Sequence, residues 1–280
     1  MLGRPKTVAV VVCTYNWHEA LRLCLGSLTK QTRKPDEVII ADDGSTPETS
    51  KTIDEFRSRL PIKHIWQQDE GFRRAMALNK AFSACKSDYI IQVDGDIILG
   101  HHFVEDHINE ARTGHFLVGS RGKLGRDMTL KMLSTGKGSP EFYSRGLTRR
   151  QNTIRLPFLT RFFYNYKQNR KERGCNMSFW RKDLLSVNGY DNGMVGYGSE
   201  DVDLAARLRR NGVYKRFIKF KAIEFHLYHK KVVCDRNAVS PNHRLYEFHN
   251  INNITRVEDG MAKFISHAQI ILKSATTRLI

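Results

Sequence analysis

The run Gly189-Tyr190-Asp191-Asn192-Gly193-Met194-Val195-Gly196-Tyr197-Gly198-Ser199-Glu200-Asp201-Val202-Asp203-Leu204 has the residue types of a reactive site. Three carboxylates, Glu200, Asp201 and Asp203, crowd the point where a glycine-rich loop becomes a helix. Leu204, Leu208 and the small pair Ala205-Ala206 repeat at helical spacing, and Asn211-Gly212 makes a stop. Ser199 is a good N-cap, and acids in the first turn suit the helix dipole, so capping alone accounts for two of them. It does not account for four glycines and an aromatic, Tyr197, in the preceding loop. Such a loop brings backbone and an aromatic face close to a ligand.

Other candidates lie far away in sequence. Asp94-Gly95-Asp96 follows the apolar run Tyr89–Val93. Two carboxylates one residue apart project to the same side of an extended backbone, and a divalent cation relieves their repulsion. The plain alternative is a turn built from Asp and Gly. Asp42-Asp43-Gly44-Ser45 ends another apolar run, where a carboxylate can accept hydrogen bonds from a base or a ribose hydroxyl. In Glu224-Phe225-His226-Leu227-Tyr228-His229-Lys230 either histidine offers an imidazole to a metal.

The elements that must position these groups are legible in the first hundred residues. Thr7–Thr14 is a continuous β-branched run, as in a strand buried on both faces. Strands are further predicted at Glu37–Ala41, Ile62–Trp66 and Tyr89–Val93, and helices at Glu19–Thr29, Glu48–Arg59 and Arg73–Ala84. This alternation predicts an α/β fold, a doubly wound, Rossmann-like parallel sheet with helices on both faces. Ligands on such sheets bind at the carboxyl ends of strands, where Thr14-Tyr15-Asn16, Asp42-Asp43 and Asp94-Gly95-Asp96 all stand.

The chain carries 46 Lys and Arg against 29 Asp and Glu, a net charge of +17, which implies an anionic partner. Much of the excess is local: residues 121–173 hold 14 basic and 3 acidic side chains. Within that stretch, Pro157–Tyr166 places Phe158, Leu159, Phe162, Phe163 and Tyr166 on one helical face beside Arg155, Arg161, Lys167, Arg170 and Lys171. That pattern serves an anionic membrane surface or a core-facing helix equally well. The purest apolar run, Val8 to Cys13, is far short of the ~20 residues of a bilayer span. Cys13, Cys24, Cys85, Cys175 and Cys234 show no CxxC spacing, so a reduced, cytoplasmic protein is expected, with most cysteines as core filler. No GxGxxG, Walker A or GxSxG motif occurs, which removes dinucleotide redox, P-loop and serine-hydrolase chemistry.

Taken together these motifs resemble the GT-A glycosyltransferases of family 2. Val10-Val11-Val12-Cys13-Thr14-Tyr15-Asn16, Ala41-Asp42-Asp43-Gly44-Ser45 and Val93-Asp94-Gly95-Asp96 match the nucleotide-sugar half. Gly174-Cys175-Asn176-Met177-Ser178-Phe179, Asn188-Gly189-Tyr190 and Gly196-Tyr197-Gly198-Ser199-Glu200-Asp201-Val202-Asp203 are similar to a galactosyltransferase-type carboxy-terminal module. That module is shared with β-1,4-galactosyltransferases and chondroitin-type polymerases. The resemblance implies a nucleotide-sugar-binding half at 1–100 and a fused acceptor-binding, catalytic half at 101–230, the latter containing the basic insert 121–173. Residues 231–280 would form an extension.

The resemblance also implies roles. Asp43, with Asp42, would hold uridine, and Thr14 and Tyr15 would line the base pocket. Asp96 would bind a metal, with Asp94 on the ribose or in the metal shell and His226 as a further ligand; His229 is the alternative. A nitrogen ligand favours Mn²⁺ over Mg²⁺. Asp201 would be the catalytic base, Glu200 would fix a sugar, and Tyr197 would stack on the acceptor ring. Many relatives have Arg-Asn in a third motif where this chain has Leu78-Asn79, so Arg73 or Arg74 would supply the cation. The implied reaction is inverting transfer of a hexose or N-acetylhexosamine from a UDP-sugar to a glycan or lipid-linked acceptor. Synthesis of cell-surface polysaccharide or lipopolysaccharide fits, with peripheral contact at the inner face of the membrane. Two rivals are a nucleic-acid-binding protein, which leaves the acidic clusters unexplained, and a sugar nucleotidyltransferase, which lacks its glycine-rich triphosphate loop.

Overall fold

The computed structural model describes residues 3–165, 172–230 and 240–265. The amino-terminal half alternates β1 (Val8–Thr14), α1 (His18–Leu28), β2 (Glu37–Asp42), α2 (Pro47–Asp54), β3 (Ile62–Trp66), α3 (Arg74–Ala84) and β4 (Tyr89–Asp94). It continues through β5 (Ile97–Leu99), α4 (Phe103–Glu110), β6 (His115–Val118), β7 (Arg121–Lys123) and α5 (Arg126–Thr135). Further along come β8 (Met177–Trp180), α6 (Arg181–Val187), α7 (Glu200–Arg210), β9 (Tyr214–Phe217), β10 (Glu224–His226) and α8 (Pro241–Ile251).

Seven strands form the main sheet in the order β3-β2-β1-β4-β8-β6-β9. β1 to β4 are parallel, β8 runs antiparallel to both β4 and β6, and β9 is parallel to β6. The expected parallel sheet is therefore mostly parallel, with one reversed strand, and it runs unbroken across residue 100. The period-2 geometry of a strand explains the β-branched composition of β1. Ala9, Val11 and Cys13 enter one core with α3, α6 and α7, while Val8, Val10 and Val12 enter the other with α1, α2 and α4. Each buried valine among them contributes on the order of 1.5–3 kcal/mol. The registers Thr14↔Asp42 and Cys13↔Asp94 bring the carboxyl ends of β1, β2 and β4 to one level.

A second, three-stranded sheet, β5-β10-β7, positions the carboxy-terminal motifs. β10 pairs antiparallel with β5 so that His226 lies opposite Ile97, one residue beyond Asp96. Residues 130 positions apart thereby become neighbours.

Three local expectations are corrected. The helix predicted at Glu48–Arg59 stops at Asp54 and is followed by turns. Ser199 does not cap α7 through its side chain; it sits in the left-handed region at φ 70°. The basic helix predicted at Pro157–Tyr166 is a 3₁₀ helix over Pro157–Phe163. At three residues per turn it does not gather one apolar face: Phe158 and Phe162 are each 68% exposed, while Thr160 is buried and donates to the Lys219 carbonyl at 2.8 Å. Tyr166, Lys167, Arg170 and Lys171 lie outside the described residues. Cys13, Cys24, Cys85 and Cys175 are free and buried; Cys234 lies outside the described residues. No helix among the described residues is long and apolar enough to cross a membrane.

Candidate active site

The site is built from three groups along the carboxyl edge of the main sheet. At the first, Asp42 and Asp43 are both buried. Asp42 accepts from the Ser45 backbone N–H at 2.8 Å and lies 2.7 Å from His64 Nε2. Asp43 accepts from Gln67 Nε2 at 2.6 Å and from the Arg73 N–H at 2.9 Å. Burial nevertheless raises the Asp43 carboxyl above its ordinary range. Each carboxylate oxygen keeps a second lone pair for a ligand donor. Gly44 makes the turn, at φ 95°; a Cβ there would lie 2.5 Å from the Asp69 Cα. Thr14 is buried beside this turn, while Tyr15 is half exposed and donates its hydroxyl to Asp69 Oδ2 at 2.9 Å.

The second group is organised by a cation. Arg74, the first residue of α3, is largely buried and donates to Asp94 Oδ1 at 2.9 Å, to Asp201 Oδ1 at 3.3 Å and to Glu200 Oε1 at 3.5 Å. Burial opposes its charge, but Asp201 and Asp94 outweigh burial and hold the guanidinium ionised. One guanidinium thus joins the end of β4 to the start of α7, with Asp94 and Asp201 as its common partners. Asp201 Oδ2 also accepts from the Gly174 N–H at 2.7 Å, and the Tyr190 hydroxyl lies 2.8 Å from its Oδ1. A Cβ at Gly174 would fall 2.4 Å from Gln92, 2.5 Å from Arg74 and 2.5 Å from Asp201, so any side chain there would displace the groups that hold the cluster. Glu200 is different. Its Oε2 is buried with no hydrogen-bond partner among the described residues, and burial, then the neighbouring Asp201, raises its pKa.

Asp203, the third acid of the α7 cluster, belongs to the core. It pairs with fully buried Arg207 at 2.7 Å and with His249 Nδ1 of α8 at 2.8 Å. The glycine-rich loop above it is tied down at both sides. The Gly196 N–H donates to the Phe72 carbonyl at 2.8 Å, and Asn242 Nδ2 donates to the Gly198 carbonyl at 3.0 Å. Tyr197 is left 63% exposed, edge-on to Phe72 with ring centroids 6.4 Å apart.

The third group is Asp96, His226 and His229, whose ligand atoms all lie within 4.8 Å of one another. Asp96 Oδ2 is 3.4 Å from His226 Nε2 and 3.5 Å from His229 Nε2. His226 Nδ1 lies 2.6 Å from the Leu227 carbonyl and His229 Nδ1 2.9 Å from the Lys230 carbonyl. A carbonyl only accepts, so both rings carry the proton on Nδ1 and turn an Nε2 lone pair toward Asp96. Asp96 Oδ1 is buried with no partner among the described residues. Two imidazole nitrogens and a carboxylate oxygen gathered this closely fit a divalent cation, and the orphaned second oxygen shows that the described residues supply no donor to complete the Asp96 carboxylate. Without one, burial, then Asp94, pushes the Asp96 carboxyl up to about 7, and burial, then Arg121, lowers His226 to about 4.

The sequence named most of these residues but left two choices open, and it did not foresee the divergence of Asp94 and Asp96. Gly95 and Asp96 form a turn, so the backbone does not stay extended; Asp94 turns to Arg74 and Asp96 to the histidines. Of Arg73 and Arg74, it is Arg74 that meets the carboxylates; the Arg73 guanidinium pairs with Glu70. His226 and His229 both reach Asp96. Tyr190 and Gly174 were quoted only as motif letters, and Gln92, Phe72 and Asn242 gave no signal.

The chain matches glycosyl transferase family 2 over residues 9–181 and the N-terminal domain of galactosyltransferase over residues 141–230. Among curated proteins it is 28% identical over 222 residues to validoxylamine A glucosyltransferase of Streptomyces hygroscopicus subsp. limoneus, covering 74% of this chain and 48% of that one. It is 26% identical to chondroitin synthase of Escherichia coli, covering 76% and 33%. The chain thus spans about half or less of the length of these relatives. Among solved structures, S. aureus TarS 1-349 in complex with UDP superposes with a TM-score of 0.57 at 18% identity, covering 94% of this chain and 70% of that one. Mannosyltransferase PcManGT from Pyrobaculum calidifontis, in complex with GDP-Man and Mn²⁺, gives 0.57 at 16%, covering 95% and 69%. These likenesses establish a GT-A fold. Because the family match extends over more than half of the sequence, from β1 through β8, the chain belongs to glycosyl transferase family 2.

Proposed function

We propose that this chain moves a hexose or N-acetylhexosamine from a UDP-sugar to a hydroxyl of a glycan or glycolipid, with inversion at the anomeric carbon. The observation that carries the reading is Arg74, which gathers Asp94, Glu200 and Asp201 beside the Asp96–His226–His229 cluster. UDP in one similar structure and GDP-Man in another support a nucleotide-sugar as the donor class.

Asp42, Asp43, Thr14 and Tyr15 would hold the base and ribose, and Arg74, with Arg73 at the rim, would face the diphosphate. Asp96, His226 and His229 would hold Mn²⁺ or Mg²⁺, which when bound supplies neutralisation of the leaving diphosphate. Asp94, fixed by Arg74, would face the ribose or the metal shell. Tyr197 offers its ring to the acceptor sugar. Asp201 takes the proton of the acceptor hydroxyl as that oxygen bonds the anomeric carbon; the bond from that carbon to UDP breaks, and UDP leaves with the electron pair. An α-linked donor then gives a β-linked product. General-base help of this kind contributes about 10²–10⁴-fold. A second reading makes Glu200 the base, because its Oε2 is buried beside Asp201 with no donor among the described residues. The basic stretch 121–173 supports an acceptor in cell-surface polysaccharide or lipopolysaccharide synthesis, near anionic lipid.

The test is a donor screen with UDP-glucose, UDP-galactose and their N-acetylamino forms, each with Mn²⁺, followed by proton NMR of the transferred sugar. Hydrolysis or transfer of one donor, with a β-linked product, is expected. An α-linked product, or turnover of none of the four, contradicts the proposal.

A further inference from the structure

Beside the second group lies a cavity of about 260 Å³ that the reaction above does not use. Arg121, Arg149, Arg173, Lys215, Glu172 and Glu224 supply its charged wall. Glu172 is already matched, to Arg209 at 2.8 Å and Lys215 at 3.0 Å. Arg149 and Arg173 are exposed, and neither guanidinium has a hydrogen-bond or ion-pair partner among the described residues. Arg149 is moreover held in the left-handed region at φ 57°, a conformation that costs a non-glycine residue on the order of 1 kcal/mol. Burial, then the like charges of Arg121 and Arg149, depresses the Arg173 pKa.

The floor of the cavity is Glu224, fully buried, with neither carboxylate oxygen hydrogen-bonded among the described residues. In either protonation state it offers a hydrogen bond to a sugar hydroxyl. Position ties this cavity to the reaction. Glu224 and His226 are two residues apart on β10 and point to the same face. Arg173 and Cys175 flank Gly174, whose N–H holds Asp201. A group seated here therefore adjoins the hydroxyl that Asp201 would deprotonate.

Resting on the transferase reading, we propose that the cavity is an acceptor subsite that takes an oxyanion, carboxylate or phosphate, carried by the acceptor glycan, with Arg149 and Arg173 as its specificity-determining residues. Planar guanidinium forks suit both anions, and a neutral sugar leaves the converging arginines uncompensated.

The experiment is isothermal titration of the full chain with methyl β-D-glucuronide, inorganic phosphate and methyl β-D-glucoside, each with and without UDP and Mn²⁺. The glucuronide or phosphate should bind at least tenfold more tightly than the glucoside, and the tighter of the two identifies a carboxylate or a phosphate acceptor. The double variant Arg149→Gln/Arg173→Gln should lose at least tenfold of that affinity, while Lys51→Gln, an exposed charge on α2, should not. Equal affinity for charged and neutral probes, binding of none of them, or an unaffected double variant overturns the subsite. Because the anions are also titrated without UDP, failure of UDP alone to bind contradicts the transferase reading and not this one.

Discussion

Asp94 and Asp96 are separated by one glycine yet live in opposite electrostatic situations. Asp94 belongs to a cluster with Glu200 and Asp201 that the protein neutralises with its own cation, Arg74. Asp96 belongs to a cluster with two imidazole lone pairs and no cation among the described residues that completes it. The first cluster is prepared to hold geometry before any ligand arrives. The second is prepared to receive charge from outside. The turn at Gly95-Asp96 separates the two, so the carboxylates of the DxD pair face different partners, Arg74 and the histidines.

That contrast can be broken experimentally at several strengths. The largest effect is expected at Asp201: Asp201→Asn should lower transfer by about 10²–10⁴-fold with UDP affinity kept. Glu200→Gln should then cost less. A larger loss at Glu200 than at Asp201, in initial-rate measurements with saturating donor, would move the base to Glu200. Next comes Arg74→Ala, which leaves three carboxylates facing one another. Breaking a buried pair costs about 3–5 kcal/mol, here an upper bound because Asp94 is partly exposed; the thermal midpoint should fall by several degrees. Arg73→Ala, whose partner Glu70 is exposed, should cost about 0–1 kcal/mol. Equal losses for the two in thermal unfolding would remove Arg74 from the centre of the site.

Acidity sharpens the comparison further. The Asp96 carboxyl is held up at about 7 in the absence of a cation, so protons compete with metal there. Below about pH 7 each unit should lower Mn²⁺ affinity about tenfold, as the carboxylate is lost. His226, held down at about 4, stays neutral and available through that range. Mn²⁺ titrations between pH 5.5 and 8 would read this slope; a flat profile would take Asp96 out of the coordination sphere.

The legibility of this molecule follows from the length of its elements. β1, β2 and β4 have six or seven residues each, enough for a β-branched run to declare itself, and the acids sit at their ends because parallel strands expose those ends. β5, β7 and β10 have three residues each, too few for any period, so the sheet that carries His226 to Asp96 was invisible in the sequence. Arg73 and Arg74 differ by one position at a helix start, where the first helical turn decides which side chain points inward. Ser199 looked like a cap because Ser before Glu usually is one. Here it takes up the left-handed turn that aims Glu200 and Asp201 at Arg74, and the hydroxyl plays no part.

In the proposed site Asp96 with the two histidines, and not Asp94, receives an external divalent cation. Mn²⁺ binding followed by electron paramagnetic resonance on wild type, Asp96→Ala and Asp94→Asn tests it without any turnover. One tight ion is predicted for wild type and for Asp94→Asn, and none for Asp96→Ala. Unchanged Mn²⁺ affinity in Asp96→Ala, or its loss in Asp94→Asn alone, would contradict the claim.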